Sequence, residues 1–265
     1  MNKPMLAAVI GIMVAVLTAV FFIKKTDPKT VTPPVKEEVD LPINTIPIEQ
    51  RPFITLSPDE SGRSLDLYVS GAPKVGELEY ELVYQTIEVQ EGVFGRLDLE
   101  NEKQPIIKSL LLGSKSAGGK VTYHEGVSGG TVTVTYGSTR LKESFNYLKF
   151  DPKDPILLST DGRFVATLTK NALKEGTRVL TMKTFGYEKA GLPESSKVLA
   201  GPYHIAYAID PRGEVGIEVK LPAGEHANPT IYGWDGKNWT KLVAKLGKDS
   251  LTTTSSLNSF LVVGE

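Results

Sequence analysis

Three stretches with different hydrophobic patterns follow one another along the chain. Residues 4–23, PMLAAVIGIMVAVLTAVFFI, carry no charge and end at Lys24-Lys25. At about 1.5 Å per residue, a helix of that length spans roughly 30 Å, the thickness of a bilayer core, and satisfies its own backbone groups. The run predicts a single transmembrane helix behind a short tail, residues 1–3, kept as an uncleaved anchor. A cleaved signal peptide is the competing expectation; the length of the stretch and the poor small-x-small site at Leu17-Thr18-Ala19 weigh against it. Residues 24–50 contain prolines 28, 33, 34, 42 and 47, which disfavour helix and central strand alike. They predict an extended Pro-rich linker, with a reach of roughly 80 Å at about 3.1 Å per residue.

From Phe53 onward the pattern has period two. Leu65, Leu67 and Val69 alternate with Asp66 and Tyr68; Leu78, Tyr80, Leu82 and Tyr84 alternate with Glu79, Glu81 and Val83; Val132 and Val134 alternate with threonines. Such alternation marks strands of antiparallel sheets with one buried face. Turn clusters such as Ser70-Gly71-Ala72-Pro73 and Ser128-Gly129-Gly130 separate the runs, giving about eight strands between Phe53 and Phe150. Asp151-Pro152-Lys153-Asp154-Pro155 interrupts the pattern, which then resumes at Ile156. Strands are expected at Arg163–Thr169, Thr177–Lys183, Tyr203–Ile209, Val215–Leu221, Thr230–Trp234, Trp239–Val243, Ser250–Thr254 and Ser259–Val263. A single helical turn is expected at Asn171–Glu175, and a loop over Gly186–Pro202. The fold class is therefore all-β: two tandem antiparallel β-sandwiches, residues 51–152 and 153–265.

Composition narrows the function classes. The 265 residues hold 30 basic and 31 acidic side chains, a net charge of -1, which argues against a nucleic-acid partner bound by phosphate neutralisation. With no cysteine, disulfides, thiolate nucleophiles and Cys-ligated metals are excluded. Lys24, Lys25 and Lys29 outweigh Lys3 beside the apolar run, so the positive-inside rule taken alone keeps the body in the cytoplasm.

The second half carries a resemblance. A strand at Phe164–Thr169 leads to Lys170-Asn171-Ala172-Leu173-Lys174-Glu175-Gly176-Thr177. There follow Ile217-Glu218-Val219-Lys220-Leu221-Pro222, the hairpin Tyr232-Gly233-Trp234-Asp235-Gly236-Lys237-Asn238-Trp239, and Ser259-Phe260-Leu261-Val262-Val263. Over about residues 155–265 this resembles the bacterial surface β-sandwich module distantly related to the ankyrin and netrin-receptor spectrin-binding-type domain. The Trp-Asp-Gly hairpin and the closing strand are its most specific parts. Lys170-Asn171-Ala172-Leu173 departs from the family's Pro-Ala-Gly-Ala-Leu turn. The first module is similar in texture to cohesin-like and immunoglobulin-like sandwiches of cell-surface proteins. The resemblance implies an extracytoplasmic structural or adhesive module without catalytic residues, which places the body outside the membrane, against the lysine flank.

Candidate chemistry is sparse. Asp235-Gly236 suits a tight hairpin turn, and Tyr232, Trp234 and Trp239 around it are either packing residues or a platform for a sugar or a partner. His124 beside Glu125 has the composition of an acid–base pair, but no Gly-x-Ser-x-Gly elbow supplies a nucleophile, and a surface histidine is the plainer reading. His124, His204 and His226 have no metal-ligand spacing; Asp59-Glu60, Asp151, Asp154 and Asp161 offer loop oxygens for calcium but no twelve-residue acidic loop. The expectation is a membrane-anchored, single-pass, extracytoplasmic structural, adhesive or scaffold protein with no enzymatic activity, cofactor or metal. Its partners would be the membrane and other surface proteins or glycans, not nucleic acid. The alternative is a carbohydrate- or ligand-binding surface module using Tyr232, Trp234 and Trp239.

Overall fold

The structure, a computed structural model, describes residues 41–74 and 76–264. The predicted transmembrane helix and most of the linker lie outside the described residues. Among those residues no helix is long and apolar enough to cross a membrane, and the one helical element is a 3-10 turn at Ile48–Gln50.

The alternating runs form nine strands in the first half: β1 (Phe53–Pro58), β2 (Ser64–Ser70), β3 (Glu77–Gln85), β4 (Gln90–Asp98), β5 (Ile106–Leu111), β6 (Gly113–Lys115), β7 (Val121–Tyr123), β8 (Gly129–Tyr136) and β9 (Thr139–Lys149). Ten follow in the second: β10 (Ile156–Leu158), β11 (Phe164–Thr167), β12 (Arg178–Lys183), β13 (Lys197–Tyr207), β14 (Val215–Lys220), β15 (Thr230–Trp234), β16 (Trp239–Lys241), β17 (Lys245–Leu246), β18 (Ser250–Ser255) and β19 (Ser259–Gly264). The fold is all-β, in antiparallel sheets. Asn171–Glu175 is a succession of turns rather than helix, with Ala172 N–H bonded to the Thr169 carbonyl. The stretch expected as a loop before Tyr203 is already strand from Lys197. The ladder to β19 shifts register at Val198/Ala200 and Ala200/Tyr203, and these irregularities accommodate Pro202, which has no N–H to donate.

Three layers result. Strands β1-β2-β5 form one sheet and β10-β11-β14-β18-β17 another. Between them runs a nine-stranded sheet, β16-β15-β19-β13-β12-β9-β8-β3-β4. It crosses from one half of the chain to the other where β12 pairs with β9, Thr181 opposite Asn146. Successive residues of a strand point to opposite faces. On β12, Leu180 and Met182 join the first core, with Leu56, Leu67, Leu82 and Phe145, whereas Val179 joins the second, with Phe164, Ile205, Ile217 and Phe260. The two cores therefore lie on opposite faces of a shared sheet. The chain changes layer at the Asp151–Pro155 interruption, where Asp151 and Asp154 form an isolated bridge.

Each outer sheet begins with a hairpin that the central sheet closes with a tyrosine. Tyr147 of β9 donates its hydroxyl to the Gly62 carbonyl at 2.9 Å, and Tyr203 of β13 donates to Asp161 at 3.0 Å. At the chain entry, Asn44 mimics a strand partner: its amide donates to the Lys142 carbonyl at 2.9 Å and accepts from the Lys142 N–H at 3.0 Å. Arg51 bonds the carbonyls of Ile46 and Asn44, so the last residues of the predicted linker are fastened along β9.

Candidate functional site

Strand β1 has distinct tasks for its two faces. Ile54 and Leu56 fill the first core. Phe53, Thr55 and Ser57 point the other way, toward the incoming β13 and the β15–β16 hairpin, and line a cleft of about 530 Å³. Loops at 210–213 and 256–258 complete it, so both halves of the chain contribute.

The aromatic side of the cleft centres on Phe53, which is buried. Tyr68 meets it edge-on at 5.9 Å and Trp234 at 6.0 Å. On the polar side, His204 lies on the face of β13 opposite the second core. Its Nδ1 is 2.8 Å from Ser259 Oγ, and its Nε2 is 3.5 Å from Ser57 Oγ, too long to satisfy that nitrogen well. Burial pushes the imidazole down to about 4, so it is neutral at physiological pH. Asp210 and Asp235 stand at the cleft, and no Lys or Arg is among its described lining residues.

The Trp-Asp-Gly hairpin is formed as β15–β16. Asp235 Oδ1 accepts the N–H groups of Lys237 at 2.8 Å and Asn238 at 2.7 Å, and Gly236 takes φ 94°. These hydrogen bonds hold the Asp235 carboxyl below the usual carboxylate range. Tyr232, Trp234 and Trp239 share one face and pack together, the Trp234 and Trp239 ring centroids 5.5 Å apart, but they differ in exposure. Trp239 is 2 % exposed, and its indole N–H donates to the Glu188 carbonyl at 2.6 Å. Tyr232 is buried in the same small cluster, with Leu261 and Val263. Of the three, Trp234 lines the cleft. Phe53, Tyr68, Ser57 and Ser259 carry no local sequence mark, and His204 carries only its residue type. The alternation of β1 placed Phe53, Thr55 and Ser57 on one face, but what arrives above that face is a long-range event.

The remaining candidates are used within the fold. His124 lies between Tyr84 Oη (2.9 Å) and Ser114 Oγ (3.1 Å), and Glu91 Oε1 is 4.0 Å from its Nε2. His226 contacts the Pro222 carbonyl at 2.9 Å. Asp59 closes the β1–β2 turn by accepting from Ser61, Arg63 and Ser64, and Asp161 closes the β10–β11 turn by accepting from Ser159, Arg163 and Tyr203. Among the described residues no group of three or more His, Asp or Glu side chains is placed to hold a metal ion. Glu143 is the most perturbed carboxyl: burial pushes it up to about 7, while Lys183 and Arg51 (3.9 Å away) pull it back and Asp161 adds to the rise. Comparison with protein families and with curated proteins finds no match.

Proposed function

We propose that this chain is a non-catalytic structural, adhesive or scaffold protein, tethered to a membrane by residues 4–23 and presenting two β-sandwich modules outside it. The observation that carries this reading is the nine-stranded sheet that passes through both modules. A shared sheet holds the loops of the two halves at set distances from each other, which suits display and bridging. The exposed edge strand β4, with Phe94 83 % exposed, is a surface of the kind that strand-addition partners use. The chargeless run and the Pro-rich linker supply the tether and the reach. Protease treatment of intact cells tests the reading: the body is expected to be digested without lysis. Digestion only after lysis places it in the cytoplasm and sinks the proposal.

A second reading, binding of a carbohydrate or other small ligand, is favoured by one observation. Trp234 lines a cleft that also holds Phe53, Tyr68 and a hydrogen-bonding wall.

A further inference from the structure

The cleft beside β1 has three properties that together select a ligand chemistry. Its volume, about 530 Å³, is in the range of small-molecule sites. Its aromatic side has a buried base and two steep walls: the rings of Tyr68 and Trp234 make interplanar angles of 72° and 65° with Phe53. The rest of its lining includes uncharged hydrogen-bonding groups, with Ser57, His204 and Ser259 in series, and Thr55 and Asn258.

Three ligand classes can be weighed against this lining. An anion meets Asp210 and Asp235 and finds no Lys or Arg among the described lining residues. A quaternary ammonium suits aromatic faces and carboxylates. It has no N–H or O–H to donate and no lone pair to offer, however, so it makes no hydrogen bond to the hydroxyl–imidazole row. A sugar ring matches both sides. Its C–H face packs on an aromatic ring, and its hydroxyls donate to carboxylates and exchange hydrogen bonds with serine, asparagine and a neutral histidine.

We propose that the cleft formed by Phe53, Tyr68, Trp234, Ser57, His204 and Asn258 binds a neutral saccharide. Tyr68 and Trp234 stack on the sugar, and the polar row reads its hydroxyls. The proposal rests on the ligand-binding reading and is independent of the tether. It narrows the hairpin triad to Trp234, since Tyr232 and Trp239 are buried beneath the surface and do not line the cleft.

The test uses the full chain, purified in a detergent without a sugar headgroup. It is titrated with neutral tetrasaccharides of glucose, mannose, xylose and N-acetylglucosamine, and separately with tetramethylammonium and with inorganic phosphate. Calorimetry and tryptophan fluorescence report binding. Saturable binding of at least one saccharide is expected, with Tyr68→Ala weakening it by on the order of tenfold or more in a variant that still melts cooperatively. Trp234→Ala is expected to do the same, and Trp239→Phe to retain both binding and the Trp234 signal. Tyr68 is half-buried on β2, outside the cores, so its variant carries the test if Trp234→Ala does not fold. No saturable saccharide binding, binding that Tyr68→Ala leaves intact, or a response only to tetramethylammonium or phosphate overturns the proposal. Since binding is read on the purified chain, its failure leaves the cell-surface result untouched, and the converse also holds.

Discussion

The backbone N–H of Leu56 donates to the thioether sulfur of Met182 at 3.3 Å, both residues being fully buried. β1 is the outer strand of its three-stranded sheet, paired on one side with β2. Its free side abuts the central sheet, and Met182 supplies an acceptor that an all-hydrocarbon core would lack. A Met-to-Leu exchange conserves volume and ordinarily costs under about 1.5 kcal/mol. Here it also orphans a buried N–H, which costs roughly 1–3 kcal/mol. Met182→Leu is thus expected to destabilise by more than a packing change alone, about 2 kcal/mol or above in urea unfolding. A loss below about 0.5 kcal/mol would mean the sulfur is not acting as an acceptor.

The other outer sheet is clamped by two donors on one carbonyl. Thr181 Oγ1 and Asn146 Nδ2, paired across β12 and β9, both donate to the Leu158 carbonyl, at 2.6 and 2.8 Å. Thr181→Val leaves the carbonyl one donor and is expected to cost about 1 kcal/mol. Combined with Asn146→Ala it leaves none, so the double variant is expected to lose more than the two singles summed. Strict additivity in the double-mutant cycle contradicts the shared clamp.

Gly130 and Gly92 both sit in strands, yet they differ in what a methyl group would meet. A Cβ on Gly130 would lie 2.0 Å from the Val83 carbonyl oxygen and 2.8 Å from Tyr84 Cα. On Gly92, in the edge strand β4, the nearest atom is the Leu82 carbonyl oxygen at 3.6 Å, an ordinary contact. Gly130→Ala must displace backbone between two paired strands, and is expected to cost several kcal/mol or to abolish folded yield. Gly92→Ala is expected to change stability by less than about 1 kcal/mol. Circular dichroism melts of the pair decide this, and equal tolerance refutes the close approach.

Two buried groups give opposing pH dependences. Glu143 is raised from 4.5 to about 7 by burial, so its contribution favours the fold below pH 4.5 and is lost as pH rises through 7. His204 is lowered from 6.5 to about 4, again by burial, so its contribution is present above pH 6.5 and is lost as pH falls through 4. Between these limits the two slopes offset one another. In Glu143→Gln the histidine acts alone, and stability is expected to rise from pH 4.5 to 6.5. In His204→Gln the glutamate acts alone, and stability is expected to fall over the same window. Denaturant unfolding at several pH values reads both slopes; the same sign in the two variants is incompatible with this assignment.

Local pattern carried much of the fold. The alternation Leu65-Asp66-Leu67-Tyr68-Val69 is strand β2 with its odd positions in the core, and the expected strands at Thr230–Trp234 and Ser259–Val263 are β15 and most of β19. Turn chemistry was equally legible at Asp235-Gly236, where one carboxylate and one positive φ form the hairpin. The stretch before Tyr203 reads locally as a loop because Gly201-Pro202 is a breaker in isolation, whereas β19 supplies a pairing partner that local pattern does not contain. The candidate site was legible only at Trp234. Nothing local distinguishes Trp234 from Trp239, since exposure depends on the residue 188 loop that covers one of them.

By itself, then, the sequence determined strand identity, facing and turn type, because these depend on side-chain alternation and on residues within a few positions of one another. The same pattern carries the expectation of an anchor and a linker. The tertiary structure decided that β12 pairs with β9, so that one sheet serves two cores on opposite faces. It also decided that β1 turns Phe53 and Ser57 toward Trp234 and His204, well over a hundred residues away along the chain. Pairings at that separation are chosen by how whole faces pack, not by any local preference. For that reason the cleft is visible in the fold and not in the sequence.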